Sequence, residues 1–171
     1  VVVDETRNRV YVANYDSDSV SVIDTGSDSV RDTIEDINSA NGIAHDPDRN
    51  IIWVTNYSDD EVTPIEANSD ATGFTVLPAV EVGDGPWGVA YVNDYVYVVN
   101  RNSSTVTVID ADDPTDRTTL GSGFNQPYHI AANPSSNKVY VANFGNHTVT
   151  VINGRSVSGV INLNTGDPST Q

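Results

Sequence analysis

Cysteine and methionine are both missing from the 171 residues, and lysine occurs once, at Lys138. Without cysteine there is no disulfide framework, no thiolate metal site and no thiol nucleophile. Without methionine, Val1 is not a translation start, so the chain reads as a processed product or as a segment of something longer. No apolar run approaches the roughly 20 residues of a membrane span, which argues against a transmembrane helix. Basic groups are scarce, 8 against 24 acidic ones, for a formal net charge of −16. A surface of that sign repels phosphate backbones and anionic lipid, so nucleic acid and bare membrane are poor partners. Most acidic residues are Asp, which suits turns. A carboxylate-rich, lysine-poor surface fits a saline or calcium-containing setting outside the cell, with calcium the one cofactor the composition suggests.

What is present is a repeat. Four segments read alike: Val10–Asn14, Ile52–Asn56, Val96–Asn100 and Val139–Asn143, the first spelling Val-Tyr-Val-Ala-Asn. Each is followed, after a short polar loop, by an apolar alternation: Val20–Asp24, Val62–Glu66, Val106–Asp110 and Val149–Asn153. A third apolar strip precedes each motif, and cutting there divides the single domain 1–171 into repeats 1–42, 43–88, 89–129 and 130–171. Period-two alternation with Asp, Asn, Ser and Gly turns predicts about four antiparallel strands per repeat, and no stretch keeps a 3.6-residue apolar period. A period near 42 residues with four strands per unit predicts an all-β fold, a β-propeller of four blades, either closed or part of a larger propeller or array. Pro64 departs from the pattern, standing where the other repeats have Val and removing a ladder donor.

The motifs Val-Tyr-Val-Ala-Asn, Trp-Val-Thr-Asn and Val-Ser-Val-Ile-Asp resemble the YVTN-type β-propeller repeats of archaeal and bacterial surface-layer and other extracytoplasmic proteins. The resemblance covers all four repeats and implies a propeller, commonly of seven blades, at a cell surface. Asn164-Thr165-Gly166-Asp167-Pro168 is similar to Val82–Pro86, which runs into the third repeat. Gln171 therefore leads into Val1 of another copy as naturally as Gly88 leads into Val89, an expectation of either ring closure or head-to-tail assembly.

Catalytic groupings are thin. The histidines His45, His129 and His147 are scattered, and no nucleophile elbow or metal-ligand spacing occurs. The junctions before the inner strands, Asn41-Gly42, Trp87-Gly88, Tyr128-His129 and Thr170-Gln171, are expected around one mouth of the channel. There Trp87, Tyr128 and His129 would offer the apolar faces and polar tips of a ligand site. Tyr11, Trp53, Tyr97 and Tyr140 share one position that fills the space between blades. The Asn closing each motif is expected to bond the following loop. Asp16, Asp18, Asp59 and Asp60 crowd equivalent hairpins and are the weak calcium candidates, although none fits the twelve-residue calcium loop. Asn56, Asn102 and Asn146 begin glycosylation triplets on one rim, with Asn102 and Asn146 the better acceptors. The expected function is a non-enzymatic extracellular structural or adhesive module that assembles with copies of itself or neighbouring propeller units, in a filament or at a cell surface where other proteins or glycans are further partners. The alternative is a propeller binding a ligand or protein at the Trp87, Tyr128 and His129 mouth. A metal-assisted lyase using His129 ranks third.

Overall fold

The computed structural model of the protein describes residues 1–67 and 73–163. The stretch Asn164–Pro168 and the junction Thr170-Gln171 lie outside the described residues. Blade 1 is β1 (Val2–Asp4), β2 (Arg9–Asn14), β3 (Ser19–Asp24) and β4 (Ser29–Ile34). Blade 2 is β5 (Ala40–Asp46), β6 (Ile51–Asn56), β7 (Glu61–Ala67), β8 (Phe74–Val76) and β9 (Val80–Glu81). Blade 3 is β10 (Pro86–Val92), β11 (Tyr95–Asn100), β12 (Thr105–Asp110) and β13 (Arg117–Leu120). Blade 4 is β14 (Pro127–Asn133), β15 (Lys138–Asn143), β16 (Thr148–Asn153) and β17 (Ser156–Asn162). Each sheet is an antiparallel meander in chain order. The turns use residues that tolerate positive φ, such as Asn50 (58°), Asn137 (52°) and the Asn93-Asp94 pair (49° and 64°), whose hand matches strand twist.

Alternation gives every blade two apolar faces, and stacking covers them. Tyr11 with Val20 and Val22 of blade 1 meets Ile52 and Val54 of blade 2; Trp53 meets Val96 and Val98 of blade 3; Tyr97 meets Val139 and Val141 of blade 4. The wedge position is thus core, as its recurrence implies. The inner strands pack in order, β1 on β5, β5 on β10 and β10 on β14, and no comparable packing joins blade 4 to blade 1 among the described residues. The four blades therefore form an open arc, a fragment of a propeller rather than a closed ring.

The open ends show in exposure. Val20 and Ile34 are cross-strand partners on the covered face of blade 1, and Ile34 is 8% exposed. Their equivalents in blade 4 are Val149 and Ile161, and Ile161 is 48% exposed. Tyr140, the fourth wedge residue, is only half-buried and lines a shallow apolar recess with Ala131, Ala142 and Val149. At the other end Val1, Val3 and Val30 are exposed.

Pro64 explains why blade 2 has a fifth strand. Its carbonyl accepts the Leu77 N–H on the outer side of β7, so the N–H it lacks would have faced the same side. The outer strand is broken there: β8 pairs with Ile65–Ala67 and β9 with Glu61-Val62.

On the face opposite the mouth, arginines staple blades together. Arg49 of blade 2 donates to Asp46 beside it and to Tyr91, Asp94 and Asp112 of blade 3, at 2.8 to 3.1 Å. Arg155 of blade 4 grips Asp116 of blade 3 at 2.6 Å with both terminal nitrogens. Asp46 is fully buried and, among the described residues, keeps only backbone N–H partners once Arg49 is gone. Arg49→Ala is therefore expected to lower stability by about 2 kcal/mol, discounted for the exposure of Asp94 and Asp112. Urea titrations at low and high salt should show the larger loss at low salt; a salt-independent loss below experimental error would refute the staple.

Candidate functional site

The mouth is built from two elements of each blade: the hairpin after the motif Asn and the lead-in to the next inner strand. In the hairpin, the motif Asn reaches across to the third strand rather than to the loop. Asn14 donates to Ser21 at 2.8 Å, Asn56 to Thr63 at 2.9 Å, Asn100 to Thr107 at 2.9 Å and Asn143 to Thr150 at 2.8 Å. A hydroxyl seven residues after each motif Asn was the sequence signal for this clamp, and the expected loop partner is corrected accordingly.

The lead-in residues Ser39, Gly85 and Gln126 all adopt positive φ (50°, 63° and 46°). Each donates its N–H back to the preceding blade: Ser39 to the Asp18 carboxylate at 2.7 Å, Gly85 to Asp60 at 2.8 Å, Gln126 to the Ser104 hydroxyl at 3.3 Å. Each carbonyl accepts from its own blade's hairpin, from the N–H of Tyr57, Arg101 and Phe144 respectively. The loop carboxylates considered for calcium thus serve in part as latches between blades. Asp59 also accepts from Asn38 at 2.7 Å, and Asp16 is exposed. Among the described residues no three His, Cys, Asp or Glu side chains form a metal-holding group.

This double anchoring fixes Tyr57, Arg101 and Phe144, the residues after the motif Asn of blades 2 to 4, and together with Tyr15 of blade 1 they ring the mouth. Register shifts at the starts of β5, β10 and β14 put Asn41-Gly42, Trp87-Gly88 and Tyr128 in bulges, which re-aim side chains out of the sheet. Trp87 and Tyr128 come together with ring centroids 4.8 Å apart. Tyr57 meets Trp87 edge-on at 5.5 Å, and Tyr15 lies 6.0 Å from Tyr57 and 6.4 Å from Trp87. The Arg101 guanidinium sits 5.4 Å from the Trp87 centroid and 5.1 Å from that of Tyr128. Beside it a polar recess of about 410 Å³ is lined by Arg101, Asn102, Ser104, Asn125 and Gln126.

Of the three residues expected at the mouth, the structure brings Trp87 and Tyr128 into one aromatic shelf. His129 lies against Tyr128 at 4.9 Å and borders the channel with Asn41 and Trp87. Sequence reasoning missed Tyr15, Tyr57 and Arg101, although their place directly after the motif Asn marks them. Asn102 and Asn146 are exposed, while Asn56 is buried with its amide bonded to Thr63. Asn102 borders the recess, so that glycosylation triplet lies beside the shelf.

A family model described as lactonase, 7-bladed beta-propeller, matches residues 1–120, and an NHL repeat model matches residues 124–152. No curated protein matches the chain in sequence. Among solved structures, hydrazine synthase of Kuenenia stuttgartiensis superimposes with a TM-score of 0.78 at 17% identity, over 90% of this chain and 46% of that one. Virginiamycin B lyase from Staphylococcus aureus gives 0.72 at 14% identity, over 91% and 52%. A chain of the nidogen/laminin complex gives 0.72 at 15%, over 94% and 61%. At such identities the likeness is one of fold, and the chain spans about half the length of these structures.

Proposed function

The chain belongs to the family described as seven-bladed β-propeller lactonases, and on that premise we propose that it is a non-catalytic assembling module of an extracellular, cell-surface layer. The observation that carries the reading is the pair of uncovered end faces. Tyr140, Ala142, Val149 and Ile161 repeat the chemistry that inside the arc is always covered by the second strand of the next blade. Blade 1 presents, in Val10 and Val12, the register positions of Ile52/Val54, Val96/Val98 and Val139/Val141, which do the covering. Leu163 donates its N–H to the His147 carbonyl as Ile37 does to that of Asp18 and Val82 to that of Asp60, so the end of blade 4's outer strand repeats the anchoring seen in blades 1 and 2. Apolar surface of this kind drives blade-to-blade association with neighbouring copies. The acidic exterior, the exposed Asn102 and Asn146 and the resemblance of the repeats to surface-layer propellers support the location. A lactonase activity does not follow from the fold, since propellers host unrelated functions.

The contact is head-to-tail, and that makes it testable. The protein should associate with rising concentration in sedimentation velocity. Tyr140→Asp on one face and Val12→Asp on the other should each halt growth, while an equimolar mixture should form dimers, each variant supplying the intact face the other lacks. A wild-type chain that stays monomeric at high concentration overturns the reading. A second reading is favoured by the shelf: the mouth binds a ligand through Trp87, Tyr128, His129 and Arg101.

A further inference from the structure

The arginines of this acidic chain are mostly occupied by carboxylates. Arg49 holds Asp46, Asp94 and Asp112, Arg155 holds Asp110 and Asp116, Arg7 holds Asp4, and Arg117 lies 3.8 Å from Glu81. Arg101 differs. Its guanidinium is held by two ring faces, and among the described residues it has no ion pair. Stacking leaves the in-plane N–H groups of a guanidinium free to take a carboxylate with two parallel hydrogen bonds. Among the described residues, the recess next to it is lined, besides Arg101, by three amides and one hydroxyl and by no carboxylate. Amides supply both donors and acceptors, which suits hydroxyl groups. The Trp87 and Tyr128 faces suit the C–H face of a saturated ring.

Resting on the mouth-binding reading, we propose that the ligand is a carboxylated sugar, a uronate unit of an acidic glycan, with its carboxylate on Arg101, its ring against Trp87 and Tyr128, and its hydroxyls toward Asn102, Asn125 and Gln126. Charge narrows the class. One cation on a surface of net charge −16 matches a monoanion with a neutral polyol body, whereas densely charged phosphate polymers meet repulsion on every side.

The test is calorimetric titration with a trisaccharide of one galacturonate and two neutral galactose units, alongside the same trimer with its carboxyl reduced to an alcohol and a tetraglutamate peptide. The acidic trimer should bind, and carboxyl reduction or Arg101→Ala should each weaken binding by about ten- to a hundredfold, with Arg101→Lys restoring part of it. Trp53 is fully buried, so a ligand-induced change in indole emission reports Trp87 and should vanish in Trp87→Phe. Thermal scans confirm that each variant is folded. Equal binding of acidic and reduced trimers, lost in Trp87→Ala but not in Arg101→Ala, overturns the uronate assignment and leaves the mouth as a site. Binding of tetraglutamate as tight as that of the trimer overturns the sugar class. Absence of binding to either trimer overturns both readings.

Discussion

Trp53→Ala should lower the unfolding free energy by about 3–5 kcal/mol, whereas Tyr140→Ala, at the same position of the last blade, should cost about 1 kcal/mol in dilute solution. Trp53 is fully buried between blades 2 and 3, in one cluster with Val89, Val96 and Val98. Truncation there leaves a cavity in a strand ladder that cannot collapse. Total stabilities of domains this size are about 5–15 kcal/mol, so the variant approaches unfolding. Among the described residues the indole N–H of Trp53 has no hydrogen-bond partner, so Trp53→Phe discards an unsatisfied donor along with some volume and should cost far less. Tyr97 is a third case: it is buried, its hydroxyl donates to the Gly154 carbonyl at 3.1 Å, and burial pushes its phenol up to about 12. Urea unfolding of the variants at two protein concentrations would decide the matter. Losses of equal size at Trp53 and Tyr140 in the dilute sample would mean that the last face is not open. A Tyr140→Ala cost that grows with concentration is the signature of blade-to-blade assembly.

The second large effect is expected from a single methyl group. In Gly42→Ala the new Cβ would stand 2.3 Å from the Trp87 carbonyl oxygen and 3.0 Å from the Val89 nitrogen. Both are backbone atoms of blade 3, and neither can swing away. Gly42 also donates its N–H to Thr55 at 2.8 Å, and Thr55 donates onward to the Trp87 carbonyl at 3.1 Å, so the three groups are locked where the inner strands converge. Exposed Gly→Ala changes usually stabilise through the unfolded chain; here the overlap reverses the sign, and a loss of about 3 kcal/mol is expected. Because the displaced atom belongs to Trp87, indole emission should shift as well. A variant with unchanged melting temperature and emission would show that the blades are not in contact at the channel. The same position in blade 4 carries His129, exposed and facing no further described blade, and His129→Ala should be tolerated. The crowding that demands glycine arises only where a next inner strand is present.

The repeat, the four-strand build of blades 1, 3 and 4 and the wedge role of Tyr11, Trp53 and Tyr97 were readable because alternation and turn chemistry are local and recur at fixed offset. The Asn clamp was half readable: the residue stood out, but its partner lies across a hairpin, and the hydroxyl seven positions on belongs to a different strand. Trp87 and Tyr128 were placed at the mouth by counting blades. Arg101, like Tyr15 and Tyr57, was passed over because a residue beside the motif Asn shows its role only once stacking sets it against rings of other blades. The loop aspartates are marked as cation candidates by their clustering in sequence; that Asp18 and Asp60 also accept N–H groups of the following blade shows only in the structure.

By itself, then, the amino-acid order determined that this chain makes four like-built antiparallel sheets with two oily faces each, since period-two patterning and left-handed turn residues act within a few positions of the chain. Whether those sheets close, and which side chains meet at the channel mouth, was decided only by how the sheets stack. Curvature sums small rotations over successive blades, and it brings Arg101 onto Trp87 and Tyr128, which lie on separate strands of separate sheets, while leaving Tyr140 and Ile161 without a cover.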